Sequence, residues 1–175
     1  MDARFLFLWI ALNAAYASEF GFEHTERDQA RTFVGRLLAL DIEKRLHAVL
    51  FQQFTGPIRT LIENKFVFDP FWKALREHDS SGHWEQQFIA SRKVALRALM
   101  DKQTELLLSI VLDRLHTLRN QIVHGGATWN GGANRPQVKD GAQILGSLLP
   151  IVIDLMITND NVEFDEIAYP PLPGW

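Results

Sequence analysis

From Leu106 to Trp129 the chain alternates apolar and polar positions at helical spacing, and this stretch organises the reading of the rest. At about 100° per residue, Leu107, Leu108, Val111, Leu115, Leu118 and Ile122 fall within one arc of roughly 100°, the width of a core-facing helix stripe. The opposite arc, about 140° wide, carries Arg119, His116, Asn120, Asp113 and His124. A solvated face is usually filled with Glu and Lys, whereas this one holds two imidazoles, an amide, a guanidinium and a carboxylate. Gly125 or Gly126 can supply the left-handed residue that ends a helix. His124 is then in the last turn, where the helix dipole favours a cation and an imidazole is suited to moving protons.

The same periodicity predicts the other elements. A first helix from about Asp2 to Ala17 is apolar on most sides, with Phe5, Trp9, Leu12 and Tyr16 as core positions and Asn13 as a polar interruption. Arg4, the apolar run Phe5 to Leu12 and Ala15-Tyr16-Ala17 imitate a secretory signal, but Asp2 and Asn13 favour a core helix. A second helix is expected from about Glu26 to Phe54, with Asp41, Glu43, Lys44 and Arg45 on a solvated face, and Gly56-Pro57 breaks it. Short helices follow at about Pro57 to Asn64 and from Asp69-Pro70 to near His78, then a longer one from Trp84 to Lys102.

The last long helix, about Pro136 to Ile157, carries a narrow polar seam of Gln143, Ser147 and Asp154, with Pro150 in the same strip. If that seam faces the central helix, Asp154 is the natural partner of Arg119 or a histidine; otherwise it reaches water. The absence of alternating strand patterns makes this an all-α helical bundle of four long helices with two short inserted helices. It forms a single domain over 1–160, followed by an extended tail at 161–175 that lies along the surface.

Composition narrows the functional classes. In 175 residues, 47% hydrophobic and 22% charged, there is room for one substantial core and no sign of disorder. A net charge of −3 argues against nucleic-acid binding over the whole surface but leaves room for a local basic cleft. With no cysteine there is no thiolate chemistry. The apolar run Ile144 to Ile157 is short and contains Asp154, so no membrane span is expected, and a cytoplasmic location follows. Glu77 to Glu85 contains two histidines and three carboxylates but not the spacing of a metal site, and Ser80-Ser81-Gly82 reads as a turn. No metal or cofactor is expected. The glycine-rich loop Gly125 to Asn134 lacks the Gly-Lys-Ser/Thr ending of a phosphate loop. Trp129 at its tip either packs back on the bundle or offers a stacking surface to a base.

Arg119-Asn120-Gln121-Ile122-Val123-His124 resembles the motif of HEPN domains, an Arg followed after four to six residues by a His. Phe7 to Ala17 and Asn134-Arg135-Pro136-Gln137-Val138-Lys139-Asp140-Gly141 look like the Apea-like branch of that group. The resemblance implies a helical bundle that dimerises and, in many members, cleaves RNA without metal, with Arg and His of two subunits lining one cleft. Carried over, Arg119 and His124 are the catalytic pair and Asn120 the supporting polar residue. Beside this pair, His116, Asp113, Asp154 and Asn13 are expected as a supporting polar network, with Asn13 either reaching the Arg119 cluster or bonded to neighbouring backbone, and Trp129 and Arg135 are candidate RNA contacts. The expectation is a metal-independent endoribonuclease acting as a homodimer. Its alternative is a non-catalytic HEPN-derived module that binds RNA or a protein, such as a cognate antitoxin or regulatory protein, in a defence or toxin–antitoxin setting.

Overall fold

The computed structural model describes residues 1–16, 26–125, 134–159, 162 and 164, with the backbone alone at 26 and 27. Among these the chain is an all-α bundle without strands: α1 (Asp2–Tyr16), α2 (Glu26–Leu40), α3 (Arg45–Ala48), α4 (Thr55–Glu63), α5 (Asp69–Arg76), α6 (His83–Met100), α7 (Thr104–Val123) and α8 (Arg135–Thr158). Five helices have 15 or more residues, the greasy α1 among them. Phe5, Trp9, Leu12 and Tyr16 of α1 are all buried, as their spacing predicts.

The single helix expected from Glu26 to Phe54 is broken at Asp41. After α2 the chain turns through Lys44 in the left-handed conformation, restarts as α3, and runs into a π turn at Val49–Gln53. Asp41, expected on a solvated face, is buried, and its carboxylate accepts from the N–H groups of Arg45 (3.0 Å) and Leu46 (2.7 Å). A carboxylate on otherwise unpaired first-turn donors stabilises a new helix start, which is why the restart occurs there.

α7 runs through the middle of the bundle and touches α1, α2, α4, α6 and α8. Its predicted stripe is in the core: Leu107, Leu108, Val111, Leu115 and Leu118 are buried and Ile122 packs against them. α8 lies alongside α1 in the same direction, joined at the start by the Arg135–Asp2 ion pair and further along by Gly141 against Phe5 and Gly146 against Leu8. By length and hydropathy α8 could cross a membrane, yet nine of its residues are buried within the bundle. Its polar seam faces outward instead of toward α7: Gln143, Pro150 and Asp154 are exposed. Phe164 of the tail is half-buried, its ring 6.0 Å from that of Phe33.

Candidate functional site

The C-terminal half of α7 and the stripe of α5 facing it form an open groove of about 440 Å³. From α7 come Thr117, Asn120, Gln121 and His124, positions i, i+3, i+4 and i+7, which lie on one helix face. From α5 come Asp69, Trp72 and Arg76, again one face. His124 is exposed and caps α7, its N–H donating to the Asn120 carbonyl at 2.9 Å, and Gly125 follows with φ +81°, the left-handed residue the glycine pair led us to expect.

Arg119 is half-buried, and its guanidinium donates to the Asn120 side-chain oxygen at 2.8 Å. Asn120 lines the groove and Arg119 does not; the bond to Asn120 is what links the guanidinium to it. Below them is a network the sequence reading missed. The buried Gln121 donates to the Phe66 carbonyl and accepts from Asn134 at 2.7 Å, Asn64 donates to Asn134 at 3.2 Å, and the Trp72 indole N–H donates to the same Phe66 carbonyl at 2.7 Å. These bonds tie the end of α7, the start of α8 and the turn before α5 into one rigid support. The polar spacing Thr117, Asn120, Gln121, His124 was the available signal for it. Arg114, also buried, lies over the Phe68 ring at 4.4 Å and donates to Ser91 at 3.0 Å, a cation on an aromatic face inside the bundle.

The remaining expected site residues are dispersed. His116 and Asp113 face the α1–α2 side of α7, where they line a small cavity with Trp9 and Tyr16, and the His116 ring is 5.8 Å from that of Trp9. Half-buried Asn13 makes no hydrogen bond through its side-chain oxygen among the described residues. Asp154 pairs with Arg45 at 2.6 Å on the outside of the bundle, because its helix face points away from α7. Arg135, expected on RNA, is instead engaged by the buried Asp2 and joins the first turns of α1 and α8. Trp129 lies outside the described residues.

Among the described residues no group of three or more histidines and carboxylates is placed to hold a metal ion. In the His/Asp/Glu-rich turn before α6, Ser81 donates its N–H to Asp79 at 2.8 Å, and its backbone and side chain hold that carboxyl below the usual range. No protein-family model, curated protein or solved structure matches this chain.

Proposed function

We propose that this chain is a metal-independent endoribonuclease of HEPN type, with the catalytic groups on the last turns of α7. The observation that carries the reading is that His124 and Asn120 open onto one groove, while Arg119 is held against Asn120 at 2.8 Å. A neutral imidazole removes the proton of a ribose 2′-OH, and the resulting alkoxide attacks the adjacent phosphorus. The P–O5′ bond breaks, the leaving oxygen takes a proton from an acid, and a cyclic phosphate remains. The guanidinium, whose planar fork matches phosphate oxygens, stabilises the charge that grows on the non-bridging oxygens. Asn120 positions that guanidinium.

The test is cleavage of single-stranded RNA in EDTA. The expected result is activity in the wild type, a fall of about 100-fold or more in His124→Ala, and no cleavage of DNA of the same sequence, which lacks the 2′-OH. Activity retained by His124→Ala would remove the mechanism. The Arg119–Asn120 bond also fits a second reading, a non-catalytic RNA-binding or protein-interaction module in which it serves only structure. Loss of thermal stability in Arg119→Ala with RNA binding unchanged would favour that reading.

A further inference from the structure

The wall of the groove opposite His124 has a composition that core packing does not require. Trp72 lines the groove with its indole N–H already bonded to the Phe66 carbonyl, so the ring is fixed in orientation. Behind it is a chain of aromatic contacts: Trp72 to Phe71 at 5.3 Å, Phe71 to Trp84 at 4.9 Å, and Phe71 to Phe66 at 5.4 Å. Phe66 is 44% exposed, and the exposed Lys65 holds its ammonium within 5.4, 5.6 and 5.9 Å of the Phe66, Phe71 and Trp84 rings. Arg76, one turn beyond Trp72 on the same face of α5, is exposed at the groove.

A rigid aromatic surface flanked by two cations suits an unpaired nucleotide: a ring to stack on its base and a charge to meet its phosphate. A duplex, whose bases are stacked on each other, cannot use it. Asp69, at the start of the same α5 stripe, repels a phosphate and so directs the backbone toward Arg76.

We propose that α5 and the Lys65–Val67 turn form a nucleotide subsite, in which a base of single-stranded RNA stacks on Trp72, its phosphate binds Arg76, and the strand continues across Phe66 toward Lys65. This rests on the reading of the groove as an RNA site. Stacking is indifferent to base identity, so the subsite positions the strand beside His124 and selects single strands over duplexes, not one sequence over another.

The experiment is fluorescence anisotropy with a labelled oligouridylate of about 10 nucleotides, using the His124→Ala background so that the probe stays whole. Trp72→Ala and Arg76→Gln should each weaken binding about tenfold, and Trp72→Phe, which keeps a stacking ring, about twofold. Arg76 is exposed, so its substitution keeps the test decisive even if Trp72→Ala fails to fold. Equal binding by Arg76→Gln and Trp72→Phe and by their parent, or no binding of the probe by any of them, overturns the subsite. Placed in the wild-type background, the same substitutions separate the two ideas. His124-dependent cleavage that they leave unchanged overturns the subsite and leaves the nuclease standing. Binding that they weaken, in a protein whose cleavage ignores His124, supports the subsite and removes the nuclease.

Discussion

Arg135 illustrates how a residue's environment, not its type, sets its task. A cation at the start of α8, after a glycine-rich loop, looks like a phosphate contact in sequence. In the fold its guanidinium is turned inward to Asp2, whose side chain is almost wholly buried. A buried carboxylate needs a compensating charge, and the pair joins two helix starts 133 residues apart in the chain. Arg135→Ala should therefore lower stability by about 1–3 kcal/mol in denaturant titration, with RNA affinity per folded molecule unchanged. A loss of RNA affinity at full stability would return Arg135 to the site. Asp41 makes the same point from the other side. In the run Asp41-Ile42-Glu43-Lys44-Arg45 every charge looks equally solvated, and nothing local marks the one carboxylate that folds back onto two backbone N–H groups.

At the level of elements, the apolar stripe of α7 was legible because burial repeats with the helical period and requires no knowledge of neighbours. The polar arc was not, since the period gives angles around one helix and not what stands opposite each angle. Asn120 and His124 meet α5, while Asp113 and His116 meet α1 and α2, so a face that reads as one cluster is shared between two environments. For the same reason the seam of α8 was open to two readings, facing α7 or reaching water, and Gln143, Pro150 and Asp154 are exposed. Helix spacing also explains where glycine is needed within α8. A Cβ at Gly141 would stand 2.8 Å from Leu115 and 2.9 Å from Phe5, both fully buried, whereas at Gly146 the nearest atom is the mobile end of Arg4 at 3.2 Å. Alanine gains about 1 kcal/mol over glycine in a helix interior, and overpacking a core costs about 1–3 kcal/mol. Gly141→Ala should thus lower the melting temperature and Gly146→Ala hold or raise it, measured by thermal circular dichroism. Similar behaviour of the two would show that α1 and α8 are less tightly apposed than these distances require.

For the whole molecule, charge and proton balance set what the groove can do alone. With 21 acidic against 18 basic residues, the surface does not gather a polyanion by mass attraction, so the proposed RNA binding would rest on the few cations and rings at the groove. Cleavage by 2′-OH attack needs a base and an acid, and among the described residues lining this groove His124 is the one imidazole. In the proposed scheme the second proton carrier is the His124 of a second copy of the chain, approaching across a two-fold axis. Val123, beside His124 and 53% exposed, is an apolar position that such a contact would cover. Activity per chain should then fall on dilution, in step with the dissociation of a dimer seen by sedimentation, and an excess of inactive His124→Ala chains should lower it by drawing wild-type chains into mixed dimers that lack one histidine. Constant activity per chain in a species that sediments as a monomer would mean that one groove supplies both proton transfers, and the two-histidine scheme would have to be abandoned.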